Sequence, residues 1–467
     1  MSRTEVVDAV MGTGKTNKII QYVRESERPV LILVERQTEV DRISLALGKE
    51  IVSIAEVSEE EGVNKMTALA DVAKTGLNIV STHQLMLRWD DEFLRTVAVE
   101  GYELVIDEAL TGILQVLGAQ SPDIARFLTE EHLVTRKVGK TELVSVGKED
   151  EEGNCLPLKY SNLENCIRNK SVYLYTQRND VGKPHYRLIE AMRSDIWTHF
   201  SKIWVLTYKF SGSLLKYYLD MHNIPFKSVS LFDNEFVDYN DINGEKFKDL
   251  LTVVEGKAND FDRYQLKSGA TLDGLTVTWS SDKRFAKERN NSVKKSIHNY
   301  LQTLKRTGEA DLDTFAWTYH KTFLDEVYPS SVGSKKKTYA CWNNKRHTLT
   351  EEERRAVTWL PQNLRGTNEW AHKTNMAYMS NTYMNGTLKM FLESTGVSID
   401  PDTYALNQMI QWLWRGCIRN GEPMTAFVPS RRMRNLLLEW LGYEDAYSSR
   451  PQTVKVIKQQ SLELYSS

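Results

Sequence analysis

Cysteine is scarce in this chain: four in 467 residues, at Cys155, Cys166, Cys341 and Cys417, none in a C-x-x-C pair. That spacing argues against structural zinc, and a chain of this length can bury a core without a disulfide framework. No apolar run approaches the ~18–20 residues that span a bilayer. The N-terminus enters an apolar strand pattern directly, without the features of a secretory leader. Neither sign of charge is in excess, with 60 Lys and Arg against 62 Asp and Glu and a net charge of −2. Any nucleic-acid surface must therefore be local. No internal repeat is visible. These absences predict a cytoplasmic protein with no membrane contact. What remains is ordinary globular composition, 41% hydrophobic and 26% charged, over a length that predicts two or three domains. Eleven Trp and 21 Tyr are many, and serve either as core or as stacking surfaces.

The stretch Asp8-Ala9-Val10-Met11-Gly12-Thr13-Gly14-Lys15-Thr16 carries the clearest chemistry. Val6-Val7 and Ala9-Val10 predict a short buried strand. Gly12 and Gly14 allow a tight turn whose N–H groups, with that of Thr13, face phosphate oxygens. Lys15 then reaches the β- and γ-phosphates and Thr16 holds Mg²⁺, at the positive end of a helix that starts there. Downstream, Pro29–Val34, Leu77–His83 and Tyr102–Leu110 read as strands alternating with helices (Glu39–Leu47, Asn64–Lys74, Leu85–Leu94). This predicts a doubly wound α/β domain with its active loops at the carboxyl ends of the strands. The pattern weakens between about 111 and 171, where Lys148–Asn154 reads as an exposed turn. A helix over Arg187–His199 precedes the strand Lys202–Leu206. In the second half, Tyr404–Arg419 reads as a helix and Thr425–Val428 as a closing strand.

Asp107-Glu108 ends the apolar run Leu104-Val105-Ile106. A carboxylate there can hold the nucleotide's Mg²⁺, while its neighbour orients and deprotonates the attacking water. The pair A-x-x-G-x-G-K-T and V-I-D-E-A resembles motifs I and II of superfamily 2 helicases of the DEAD/DEAH-like type. Further stretches fall in the same order. Glu35-Arg36-Gln37-Thr38 resembles motif Ia, and Ser81-Thr82-His83 resembles the next nucleic-acid-contacting motif. Leu206-Thr207-Tyr208 stands at the place of motif III, with Tyr208 and Lys209 in place of its Ala and second Thr. Asn363–Asn368 stands at the place of motif V, and Gln411–Arg419 resembles motif VI (Q-x-x-G-R-x-x-R). Gln411 and Arg415 match that last motif. Trp414 replaces its Gly, and the second Arg, Arg419, comes one residue late. On one helix a four-residue step drifts by about 40°, so Arg415 and Arg419 would share a face. The compact motifs and early P-loop look most like phage-encoded helicases, with viral origin-binding helicases similar in style. Too little chain precedes Gly12 for the adenine-reading Gln motif of DEAD-box proteins.

The resemblance implies two RecA-like P-loop lobes with parallel sheets, plus insertions or a small accessory domain. Lobe 1 would be 1–225 with an insertion at about 111–171, followed by an accessory region at 226–310, lobe 2 at 311–445 and a tail at 446–467. It implies an ATP-dependent DNA helicase or translocase that uses ATP and Mg²⁺. Lys15, Glu108, Arg415 and Arg419 would be catalytic, and Gly12, Thr13, Gly14, Lys15, Thr16, Asp107 and Gln411 would hold nucleotide. Thr16 and Asp107 would hold the metal, and Thr38, Thr82, Arg365 and Thr367 would contact nucleic acid. The Lys/Arg clusters at 283–306 and 335–346 would track a backbone, with Trp317, Trp342 or Trp370 stacking on bases. Expected partners are single-stranded, forked or branched DNA rather than RNA, and replication or recombination proteins, in the host cytoplasm if the gene is a phage's. A branch-migration or fork-remodelling motor and a P-loop ATPase switch without unwinding are the alternatives.

If Lys15 binds the phosphates, Lys15→Ala abolishes nucleic-acid-stimulated ATP hydrolysis and leaves the circular dichroism spectrum unchanged. Full activity in that variant overturns the assignment.

Overall fold

The computed structural model describes residues 3–108, 110, 112–169, 171–178, 182–240, 244–254, 264–265, 271–272, 275, 283–343, 345–364 and 368–443. Arg365, Thr367 and the tail expected at 446–467 lie outside the described residues. The chain forms two units: Met1–Asn240 with Met384–Pro401, and Asp241–Tyr383 with Asp402–Ser467.

The first unit starts with five strands, β1 (Thr4–Asp8), β2 (Val30–Val34), β3 (Val52–Ser53), β4 (Ile79–Thr82) and β5 (Glu103–Asp107). Five more follow, β6 (Leu114–Val116), β7 (Leu133–Val138), β8 (Thr141–Val146), β9 (Ser171–Arg178) and β10 (Pro184–Ala191). The chain then returns through β11 (Ile203–Thr207), β12 (Phe226–Phe232) and β13 (Glu235–Asp238). The main sheet has the order β13-β12-β1-β11-β5-β2-β4-β3. Every pairing in it is parallel except the β12–β13 hairpin. All five residues of β2 are buried, as expected of a strand covered on both faces. The helix Lys15–Glu25 packs through Ile19, Ile20 and Val23, and the helix Gln37–Leu47 through Val40, Ile43 and Leu47, into one core with β1 and β2.

Strands β6 to β10 form a separate antiparallel sheet of order β6-β10-β9-β8-β7, inserted in the sequence between β5 and β11. The weak pattern expected from 111 to 171 conceals three of its strands. On β7 only Leu133 is buried, so no apolar alternation marks it. The helix expected over Arg187–His199 is instead strand β10 to Ala191, and only Ile196–His199 is helical. Ladder pairing with β9 from Pro184 to Ala191 overrides the local helical pattern. The helix expected over Leu85–Leu94 is two, His83–Met86 and Asp91–Val99, because the Asp90 carboxylate accepts from the Phe93 N–H at 2.8 Å and caps a new start.

The segment 384–401 lies between second-unit stretches in sequence but folds with the first unit. Its helix, Gly386–Thr395, sets Phe391 at 5.9 Å from the rings of both Tyr173 and Tyr175 on β9. The Tyr217 hydroxyl donates to the Asp400 carbonyl at 3.2 Å.

The second unit carries β14 (Leu251–Val253), a short antiparallel pair β15 (Tyr264–Gln265) and β16 (Thr271–Leu272), then β17 (Phe315–Thr318), β18 (Asn375–Tyr378) and β19 (Met424–Phe427). Its main sheet, β14-β19-β18-β17, is wholly parallel. The basic helix Lys283–Thr307 joins this unit's core through Val293, Ile297, Tyr300, Leu301 and Leu304, while Lys294, Lys295, Lys305 and Arg306 stay exposed. The expected stacking role fails for Trp317 and Trp370, both fully buried; the Trp317 Nε1–H donates to Thr358 Oγ1 at 3.1 Å. Trp342 is partly buried against the same core, beside Trp359 and Trp370. The architecture is α/β throughout, two RecA-like lobes with parallel sheets and an inserted antiparallel sheet.

The helix expected over Tyr404–Arg419 stops at Leu413. Tight turns replace it: the Arg415 N–H donates to the Trp412 carbonyl at 3.1 Å and the Gly416 N–H to the Leu413 carbonyl at 3.0 Å, and Gly416 is extended. A Cβ on Gly416 would lie 2.5 Å from Met376 Sδ and 2.8 Å from the Lys373 carbonyl oxygen. Gly416→Ala therefore destabilises the second unit by about 1–3 kcal/mol in denaturant unfolding, as overpacking does. Gly386→Ala, at a position open for 4 Å, serves as the neutral control.

Candidate nucleotide-binding site

Strand β1 ends at Asp8 and the chain turns back through Ala9–Gly14 into the helix Lys15–Glu25. Gly12 (φ 84) and Gly14 (φ 87) hold left-handed conformations, which a residue with a Cβ adopts only under strain. Thr13 closes the loop by donating from Oγ1 to the Val10 carbonyl at 2.7 Å. The Lys15 ammonium lies over the loop and donates to the carbonyl oxygens of Ala9 (2.5 Å) and Val10 (3.1 Å). This is a glycine turn at a helix N-terminus with a cation laid over it, the arrangement that suits a phosphate chain.

Asp107 ends β5, and β11 alone separates it from β1. The Thr16 hydroxyl donates to Asp107 Oδ2 at 3.0 Å, so the P-loop threonine and the strand-end carboxylate meet. Both are hard oxygen donors, as Mg²⁺ requires, and such an ion commonly takes few protein ligands and keeps several waters. Among the described residues no group of three or more His, Cys, Asp or Glu is gathered into an all-protein metal site. Burial pushes the Asp107 carboxyl up to about 6, with the Glu108 charge adding to the rise and the Thr16 hydrogen bond opposing it.

Glu108 has a positive φ of 69°, and its N–H donates to the Leu206 carbonyl at 2.9 Å. Lys209, just past β11, is also left-handed at φ 51° and is buried. The Phe210 N–H donates to the Asp8 carboxylate at 2.9 Å, tying the 207–210 turn to the end of β1. Sequence reasoning did not single out Asp8. A charged residue closing an apolar strand just ahead of the glycines was the available signal.

Thr82 ends β4, Cα-paired with Val34 at the end of β2, and Thr38 is exposed in the first turn of the helix that follows β2. Both threonines thus belong to the same carboxyl edge as the P-loop. In the second unit, Gln411 is buried and donates from Nε2 to Asn407 Oδ1 at 3.0 Å. Arg415 follows the end of its helix, is buried, and donates from Nε to the Leu364 carbonyl at 3.3 Å. Arg419 sits in the separate 3₁₀ turn Cys417–Asn420, so the two arginines do not share one helix. Trp414, at the place of the motif's glycine, is core: its ring lies 4.8 Å from Phe247 and 5.3 Å from Trp440. The turn is held from below by Lys373, whose carbonyl accepts from the Cys417 N–H at 3.0 Å. The buried Lys373 ammonium donates to the carbonyls of Leu312 (3.1 Å) and Arg355 (2.6 Å), and desolvation pushes its pKa down to about 7.

Residues 245–441 match the family described as the YonV C-terminal Rossmann-like domain. Over 451 residues, 94% of this chain and 99% of the other, the sequence is 26% identical to YonV, described as an SPbeta prophage-derived uncharacterized protein of Bacillus subtilis (strain 168). Among solved structures the chain is similar to one titled XPD helicase, with a TM-score of 0.51 at 10% identity over 94% of each chain. A second, the S. tokodaii Xpd4 structure, gives 0.49 at 14% identity over 95% of each. The likeness to the first is one of fold.

A carboxyl whose folded pKa is raised above its unfolded value binds protons better in the native state. Its ionisation therefore costs stability as pH rises from about 4 to about 6, and the cost persists above that. Asp107→Asn removes the cost. A rise from 3.8 to about 6 makes the gain on the order of 1–3 kcal/mol at pH 7.5. In thermal unfolding at pH 7.5 the variant melts higher than the parent, and the difference disappears as pH falls below about 4.

Proposed function

We propose that the protein is an ATP-dependent DNA helicase or translocase of superfamily 2. The observation that carries this reading is the meeting of Thr16 and Asp107 at 3.0 Å beneath a glycine turn that presents Lys15. A helicase-type fold over nearly the whole chain supports it. Gly12, Thr13, Gly14 and Lys15 cradle the phosphates of ATP. Thr16 and Asp107 hold Mg²⁺, which neutralises the phosphate charge when bound. Glu108, adjacent to that carboxylate, orients the attacking water and takes its proton. Arg415 or Arg419 stabilises the charge that develops on the transferring phosphoryl group, and Gln411 acts with them. Thr38 and Thr82, with Arg365 and Thr367 from the second unit, contact the phosphodiester backbone, which positions a strand without reading its sequence. The prophage origin of YonV is in keeping with a role in phage DNA replication or recombination.

ATP hydrolysis measured with single strands, duplex, forks, four-way junctions and RNA tests this. The expected result is stimulation of about tenfold or more by DNA that contains a single strand, with weaker stimulation by RNA. A preference for junctions assigns branch migration or fork remodelling. Hydrolysis indifferent to every nucleic acid overturns the motor in favour of a switch.

A further inference from the structure

The segment 384–401 leaves the second unit after Tyr383, folds with the first, and returns at Asp402. Its helix, Gly386–Thr395, is short, and it buries Leu388, Phe391 and Leu392. A helix of this length is marginal on its own in water, so its order depends on packing and on how its ends are held.

On the first unit the holds are few and dispersed. Besides the Phe391 contacts, Gln177 on β9 donates from Nε2 to Met390 Sδ at 3.0 Å. The Tyr217 hydroxyl donates to the Asp400 carbonyl at 3.2 Å and accepts from the Asp400 N–H at 3.3 Å. The Lys140 ammonium stands at the helix C-terminus, where a Cβ on Gly396 would meet it at 2.6 Å. Its charge there complements the negative end of the helix dipole.

On the second unit a single side chain holds both ends of the segment. Arg432, in the first turn of the helix Arg431–Trp440, donates from Nη1 to Asn381 Oδ1 at 3.0 Å and to the Thr382 carbonyl at 2.9 Å. On the return side it donates from Nε (2.9 Å) and Nη2 (2.6 Å) to Asp402 Oδ1. The guanidinium also lies 4.2 Å from the centre of the Tyr383 ring. A planar fork of five donors can serve two chain segments at once, which the point charge of a lysine does poorly. Residues 381–383 and 402 are therefore fastened together through one guanidinium, although the whole excursion lies between them in sequence.

We propose that Arg432 is a clasp that closes the 384–401 excursion at its base and so keeps the helix Gly386–Thr395 docked on the inserted sheet. The physical effect is loop closure. With its ends already together, the segment gives up less chain freedom when the helix docks. A side chain of the second unit thereby sets the stability of a helix that folds with the first. The proposal stands whether or not the chain is a nucleic-acid motor.

Amide hydrogen exchange on the full chain tests this in the parent and in variants. Arg432→Ala is expected to speed exchange over 386–395 about tenfold, the scale of a lost hydrogen bond to a charged group, and to leave β2 and β19 unchanged. Asp402→Asn, at a side chain that is 55% exposed, loosens the same helix and carries the test alone where Arg432→Ala does not fold. The two substitutions combined give no faster exchange than Arg432→Ala by itself, because both act through one clasp. Unchanged exchange over 386–395 in the single variants overturns the proposal. So does a rise shared equally by β18 and β19, which marks general loosening of the second unit, and so do additive effects in the double variant.

Discussion

Strand β11 is the constraint on which the first unit's chemistry depends. It is laid between β1 and β5 from a part of the chain beyond the inserted sheet, and its last carbonyls reach both neighbours. The Ala9 N–H donates to the Thr207 carbonyl at 3.0 Å and the Glu108 N–H to the Leu206 carbonyl at 2.9 Å. One strand end thus sets the spacing of the two loops that must cooperate, and the Thr16–Asp107 contact is its result. The cost is visible in the backbone. Glu108 and Lys209, flanking the same edge, both hold positive φ, a conformation that costs a non-glycine residue roughly 1–3 kcal/mol. The parallel ladders on either side make that strain tolerable.

A carboxylate that is crowded by protein, lies beside a second carboxylate and has a hydroxyl partner is poised for a cation. Asp107 is held well above the ordinary carboxylate range by burial and by the Glu108 charge, and the Thr16 hydroxyl offsets part of that cost. In the second unit the analogous economy is mechanical. Arg415 is held by a backbone carbonyl and its turn is braced by Lys373, whose ammonium is buried among main-chain oxygens.

The P-loop and the Asp107-Glu108 pair were legible because their signals are local: glycines that must hold positive φ, a lysine and threonine at a helix start, carboxylates closing an apolar run. The parallel character of the main sheet, though not its strand order, followed from the same alternation. The inserted sheet was not legible, since β7 is exposed along most of its length and β10 reads as a helix until its ladder with β9 is seen. The need for glycine at 416 depends on two methionines and the Lys373 carbonyl closing around it, and no window of sequence contains them. The tryptophans misled for a similar reason: proximity to lysine in sequence does not decide which way an indole faces, and Trp317 and Trp370 went inward. A cavity between the ends of β2 and β4 draws residues from four stretches of chain, so only the folded protein assembles it.

The helix Gly386–Thr395 has one more implication. Because the segment 384–401 folds with the first unit, the polypeptide crosses between the units three times, after Asn240, after Tyr383 and after Pro401. The stretch matched as a Rossmann-like domain, 245–441, contains that excursion. A gene fragment cut at those limits would carry Leu388, Phe391 and Leu392 away from the partners that bury them. Recombination between related genes therefore cannot exchange the second unit as a clean cassette.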